Sequence, residues 1–362
     1  MITYNKKSLL NTFFDIVTKI KIEPNFCIIH SDYQSFILPT LMVETLEKSS
    51  KVLQDKYLTL LLRNFLYGIY YNNSLQSVLA ANITNPNLLL HQDLENNCVF
   101  EIDWQFYNRL HEHNHGKGYC DGDWQILRIE PDGSLAVTKG GLTLHVEENH
   151  LESNTSTNRI DDLIAIRLPK NRLNNGFYLA VSNLGQKHQN DLSNNLSDDE
   201  NTSIFFNLNP QGAIALMDSI TQQLNIREIP FSFQVPHHPL GCSRYDSGIL
   251  NFQRQDYPII QKLLKNIYTE HQSYFQLETP LFTKFLAPGL SLAEQPVEKP
   301  LNKQSFGVNR CQIIANALFT AWEKGIDSPS EKVDIIHQHF ACKLVDLERP
   351  YLNPNSDDIY NW

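Results

Sequence analysis

The spacing of apolar residues first changes near Gly116, and that change limits the fold more than any other feature. Before it, apolar residues recur at helical intervals. Leu9, Phe13, Phe14, Val17 and Ile20 predict a first helix. Leu53, Tyr57, Leu60, Leu61, Phe65, Leu66, Ile69 and Tyr70 predict a second, from Lys51 to Tyr71, with Gly68 weakening its last turns. A shorter amphipathic piece runs from Ile102 to His111. After Gly116 the runs are short and alternating, as strands require. They are Trp124–Ile129, Leu135–Val137, Leu142–Val146, Leu163–Leu168, Phe177–Ser182, Ile204–Leu208, Phe231–Val235 and Gly248–Phe252. Pro131-Asp132-Gly133-Ser134 reads as a turn between the first two. Helices return at Pro210–Leu224, Tyr257–Phe275, Asn309–Lys324 and Ser330–Lys343.

This order predicts an α+β protein. A mainly helical region, 1–115, precedes an α+β domain, 116–362, in which a mainly antiparallel sheet is flanked by C-terminal helices. The polar tract Gln186–Asn201 reads as a mobile surface loop, and Gln276–Ser305, with four prolines, as a loop-rich span.

A net charge of −10 leaves no basic footprint for nucleic acid. No run of about 18 apolar residues is present to span a membrane. The opening residues, Met1 to Lys7, lead into a stretch broken by Asp15 and Lys19, unlike a secretory signal. Six cysteines without CxxC spacing fit reduced thiols. Together these features place the chain in the cytoplasm, with no cofactor.

Several segments resemble a known family. They are Arg63-Asn64-Phe65-Leu66-Tyr67-Gly68-Ile69-Tyr70-Tyr71, Gly116-Lys117-Gly118-Tyr119, Val137-Thr138-Lys139-Gly140-Gly141-Leu142, Arg244-Tyr245-Asp246-Ser247-Gly248, Pro280-Leu281-Phe282-Thr283-Lys284 and Ser305-Phe306-Gly307-Val308-Asn309-Arg310. Their order and spacing are similar to the HopA-type family of type III secretion effectors and its cyanobacterial relatives. The resemblance implies one of two activities. Plant-pathogen members act on host immune proteins. Other members resemble the lyase component of class V lanthipeptide biosynthesis. In those pathways a kinase-like partner phosphorylates a precursor peptide, and the HopA-type protein eliminates phosphate to leave a dehydroamino acid.

Elimination from a phosphorylated residue needs a base for the α-proton, cations for the phosphate, and an acid for the leaving oxygen. A lysine serves as base only when its pKa falls, and arginine binds phosphate in a bidentate fork. Lys139, before paired glycines, and His145, at the end of the next strand, suit base and acid. Tyr245 is a further catalytic candidate beside Arg244. Arg167, Lys170, Arg244, Lys284 and Arg310 are the phosphate-binding candidates. Arg310 sits in a first helical turn, where anions are favoured. Each has a plain alternative: an exposed turn lysine, a strand-end histidine, a surface ion pair or a basic loop.

Other chemistries fit less well. His111, His113 and His115, with Cys120 and Asp121, lack zinc spacing. No Gly-x-Ser-x-Gly elbow marks a hydrolase, and no glycine-rich loop with His-Arg-Asp marks a kinase. The serious rivals are non-catalytic: a phosphopeptide- or leader-peptide-binding protein, or an effector-like interaction scaffold.

Overall fold

The structure is a computed structural model. It describes residues 6–23, 25–76, 79, 101–151, 159–174, 176–185, 201–297 and 304–362. The elements in chain order are α1 (Lys6–Lys19), β1 (Ile20–Glu23), β2 (Cys27–His30), α2 (Thr40–Glu47), α3 (Lys51–Leu66), a π-helical turn (Tyr67–Tyr71) and α4 (Trp104–His113). Next come β3 (Tyr119–Ile129), β4 (Leu135–Lys139), β5 (Leu142–Val146), β6 (Leu163–Leu168), β7 (Asn171–Asn174), β8 (Phe177–Val181) and β9 (Asn201–Phe206). The rest are α5 (Pro210–Ile226), β10 (Phe231–Pro236), β11 (Gly248–Gln253), α6 (Tyr257–His271), β12 (Lys284–Ala287), β13 (Leu290–Glu294), α7 (Phe306–Glu323) and α8 (Pro329–Cys342).

Helix starts follow local chemistry. Side chains of Ser50, Asp103, Asn209 and Ser305 accept from backbone N–H groups of α3, α4, α5 and α7, satisfying donors that a helix leaves unpaired. Pro210 occupies a first-turn position of α5, where its missing N–H costs nothing.

All strand pairs are antiparallel. The larger sheet runs β12-β13-β9-β11-β10-β8-β7, and the smaller one β5-β4-β3-β6. β1 and β2 form a separate hairpin. The fold is therefore α+β, as the apolar spacing predicts. One core takes side chains from α1, α3 and α4 together with the larger sheet and helices α5 to α8. A second, small core of Trp124, Ile126, Leu135, Val137, Val146, Ile164 and Ile166 fills one face of the smaller sheet.

Some boundaries differ from those the sequence predicts. α1 ends at Lys19, and Ile20 opens a strand. The expected helix to Tyr71 changes to π-helical winding at Tyr67. The span expected to be loops contains the hairpin β12–β13, with Pro288 and Gly289 at its turn and Gly289 at φ 69°. The tract expected to be a mobile loop lies, from 186 to 200, outside the described residues.

The last residues, 350–362, have little regular structure but many ties. Glu294, 2% exposed, accepts from Arg254 Nε (3.1 Å), Asn353 N (2.8 Å), Ser356 Oγ (2.7 Å) and Tyr360 Oη (2.8 Å). The Asn361 carbonyl oxygen accepts from Tyr257 Oη at 2.8 Å. The described cysteines are free thiols. Among the described residues, no helix is long and apolar enough to cross a membrane.

Candidate functional site

The structure divides the eight predicted residues among three places. Arg244 and Tyr245 sit beside the π-helical turn. Arg244 is buried, and its guanidinium forks onto Asp246, at 2.5 Å from Nε and 2.8 Å from Nη2. Asn72 Nδ2 also donates to Asp246, at 3.2 Å. Burial opposes the Arg244 charge, but Asp246 outweighs it, so the guanidinium pKa is held above its usual range. The Tyr245 N–H donates to the Asn72 carbonyl oxygen at 2.9 Å, and burial raises its phenol pKa.

Lys284 and Arg310 belong to the C-terminal segment. Lys284 Nζ holds both Asp358 oxygens, at 2.8 and 2.6 Å. Arg310 is 2% exposed, not an outward-facing cation at a helix start. It donates to the carbonyl oxygens of Pro350 (2.9 Å) and Leu352 (3.0 Å). Backbone carbonyls thus occupy the donors expected to meet phosphate.

The other four lie on or beside the smaller sheet. A register shift in β3 between Asp121 and Trp124, with Asp123 at φ 60°, turns the Gly122 carbonyl toward Lys139. Lys139 Nζ donates to that oxygen at 2.8 Å and to Asp121 Oδ1 at 2.9 Å. Trp124 Nε1 takes the second Asp121 oxygen at 2.7 Å. His145, 61% exposed, has Glu130 as its nearest charge, at 3.7 Å. Arg167 is exposed on β6, in register with Cys120 of β3.

Lys170, between β6 and β7, differs from the other lysines among the eight. Its ammonium donates to the carbonyl oxygens of His111 (2.9 Å) and Asn114 (2.8 Å), at the C-terminal end of α4. Such carbonyls carry the negative end of the helix dipole. An ammonium has three donors, so one N–H remains, and no carboxylate lies within ion-pair distance among the described residues. Burial lowers the Lys170 pKa. Gly116 makes this approach possible, since a Cβ there would stand 2.9 Å from Lys170 Cβ.

Around Lys170 the hydrogen bonds fix the direction of several donors. Asn114 Nδ2 donates to the Lys170 carbonyl oxygen (3.1 Å) and to Tyr178 Oη (3.0 Å), while its Oδ1 accepts from Gly116 N (2.9 Å). Tyr178 Oη also lies 3.2 Å from His111 Nδ1, within hydrogen-bond distance. Burial first, and the Lys170 charge second, lower the His111 pKa and favour its neutral form.

Two residues further, Arg172 donates to Tyr119 Oη at 2.9 Å from Nε and lies over the Tyr119 ring, with no carboxylate partner among the described residues. Tyr119 and Asp121 alternate along β3, about 7 Å apart. That places the Lys139–Asp121 pair next along the strand from the Tyr119–Arg172 contact. Of the predicted set, the corner so formed contains Lys139 and, two residues before Arg172, Lys170; Arg167, opposite Cys120, faces the other side of the smaller sheet. Arg172 and His111 are members that sequence reading did not assign to a phosphate site. Arg172 was signalled by its place in Lys170-Asn171-Arg172, a run without acids; His111 had no signal beyond its histidine neighbours.

Those histidines part company. His113 Nδ1 lies 2.7 Å from the Arg109 carbonyl oxygen, and His115 Nε2 lies 2.7 Å from Asp218. Among the described residues no group of three or more His, Cys, Asp or Glu side chains could hold a metal ion.

The model of the HopA1 effector protein family matches residues 168–352, more than half of the chain. The chain belongs to the HopA1 effector protein family. Lys170, Arg172, Arg244, Lys284 and Arg310 fall inside the matched span, and His111 and Lys139 precede it. Two solved structures resemble this HopA1-family chain. The effector protein from Pseudomonas syringae pv. tomato strain DC3000 has 16% identity over 73% of this chain and 84% of its own, with a TM-score of 0.41. That from Pseudomonas syringae pv. syringae strain 61 has 12% identity over 87% and 94%, also with a TM-score of 0.41. No curated protein matches the chain.

Proposed function

We propose that this chain eliminates phosphate from a phosphoserine or phosphothreonine residue of a peptide, leaving a dehydroamino acid. The observation that carries the reading is the Lys170 ammonium, which, among the described residues, keeps one donor and has no carboxylate partner. In a protein of net charge −10, a local cation of this kind focuses an anionic group. Arg172, on the adjoining strand, supplies a second cation without a carboxylate partner among the described residues.

The reaction balances without a cofactor. A base takes the α-proton, the Cα–H electrons form the Cα=Cβ bond, the Cβ–O bond breaks, and phosphate leaves with that electron pair. Lys139 is the candidate base. His111, close enough to Lys170 to feel its charge, is the candidate donor to the leaving oxygen, since His145 is exposed on an edge strand. The cytoplasm suits such a role, with a kinase-like protein supplying the phosphorylated peptide.

One observation favours binding without reaction. The Lys139 ammonium is already held by Asp121 and the Gly122 carbonyl oxygen. Incubation of the protein with phosphoserine and phosphothreonine peptides, read by mass spectrometry and phosphate release, separates the two. Under the lyase reading, Lys139→Ala abolishes the dehydrated product and keeps phosphopeptide binding, while Lys170→Ala weakens both. Binding by the wild-type protein with no dehydrated product from any phosphopeptide supports the binder. No phosphate-dependent binding or product sinks both.

A further inference from the structure

β7 is an edge strand of the larger sheet, and among the described residues its only strand partner is β8. Its ladder phase is fixed by neighbouring hydrogen bonds. The Val181 N–H donates to the Lys170 carbonyl oxygen at 3.0 Å, while Ser182 N–H points the other way, to Phe231 of β10. With Arg172 opposite Leu179 and Asn174 opposite Phe177, Arg172 and Asn174 continue the inward phase that Lys170 begins. Asn171 and Leu173 therefore direct their N–H and C=O groups away from the sheet. Among the described residues no backbone group meets them.

An open edge of this kind accepts one more strand, and its flanking side chains decide which strand. Here the flanks are Lys170 and Arg172, both without carboxylate partners among the described residues, and no acidic residue lies between 168 and 174. A side chain opposite Arg172 on an added strand stands about 5 Å from it between Cβ atoms, within reach of a guanidinium–phosphate contact. We propose that the phosphorylated peptide docks as an extended strand on the β7 edge, pairing with the outward groups of Asn171 and Leu173 and placing its phosphorylated side chain opposite Arg172. This mode rests on the phosphopeptide reading above and adds how the peptide is held.

The test uses the full chain and a nine-residue peptide of Ala, Thr and Gly with one central phosphoserine. Its backbone amides are N-methylated either at odd or at even positions, and binding is measured by fluorescence anisotropy. Strand addition makes only one of the two phases matter. One N-methylated series binds about tenfold more weakly than the parent, and the other within about twofold, because about two hydrogen bonds are lost in one phase alone. Equal loss in both series, or none in either, overturns the docking mode. Leu173→Pro gives a second reading, removing an outward N–H while leaving the inward ladder bonds in place. It should weaken the parent peptide by a similar factor at an unchanged melting temperature. If that variant fails to fold, the two N-methylated series still decide. Equal binding of the unphosphorylated parent, with the phase dependence retained, would remove the phosphate reading and keep the edge. Phosphate-dependent binding without phase dependence would do the reverse. No binding of the phosphopeptide overturns both.

Discussion

Arg310 Nε donates to the Pro350 carbonyl oxygen at 2.9 Å, so the start of α7 holds the chain forty residues further on. The same guanidinium reaches Leu352 at 3.0 Å and lies over the Phe306 ring. Arg310→Ala leaves two carbonyl oxygens without these donors. It should lower stability by about 3 kcal/mol, since hydrogen bonds to a charged donor each contribute about 1.5–3 kcal/mol. Arg310→Lys should recover less than half, because one ammonium cannot reproduce a fork. Urea unfolding of the three proteins measures this; a loss under about 1 kcal/mol for the alanine variant would show that the segment is anchored elsewhere.

A second expectation concerns the buried ion pair. Asp246 is 1% exposed and takes both Arg244 contacts, so Asp246→Ala strands a guanidinium in the core. Removing one partner of such a pair costs about 3–5 kcal/mol. Replacing both, as Arg244→Met with Asp246→Ala, should cost less than the aspartate change alone. Denaturation of both variants is the check. A double variant weaker than the single one would mean that Arg244 also has a favourable role apart from Asp246.

Acid should destabilise the fold, with buried His30 as one cause. His30 is 4% exposed, accepts at Nδ1 from Asp32 N (3.0 Å) and lies 2.8 Å from Tyr70 Oη through Nε2. Tyr70 in turn donates to Asp15 Oδ2 at 3.0 Å. Burial lowers the His30 pKa, against Asp32, which raises it. In the unfolded chain it titrates near about pH 6.5. The unfolded state therefore binds the proton more readily, and stability present above about pH 6.5 is lost as pH falls below it. Burial also lowers the His237 and His339 pKa values, adding to the trend. Unfolding midpoints at pH 7.5 and 5.5 should differ, with His30→Gln narrowing the gap. Identical gaps in both proteins would remove His30 as a contributor.

Most of the fold was readable because period reports burial directly. β6, β8, β10 and β11, and helices α5 to α8, lie within a few residues of where alternation or helical spacing puts them. β12 and β13 were hidden because prolines near them suggested loops. Pro288 falls at the hairpin turn, and Pro280 and Pro296 fall outside the strands, so no ladder donor is lost. The candidate site was less readable. Sequence identifies cations but not their partners, and the partners are distant: Asp358 is 74 positions from Lys284, and Pro350 is 40 from Arg310. Lys170 and His111 meet across 59 positions, through a backbone oxygen that no side-chain pattern announces.

The matched family span stops at Leu352, whereas three of the groups that satisfy Glu294 come from Asn353, Ser356 and Tyr360. Kinship and foldability thus have different limits here. A fragment cut where the likeness ends would keep the buried carboxylate and lose most of the donors that neutralise its isolation. Anyone trimming this chain for expression, or grafting it onto another protein, needs to carry the final ten residues along.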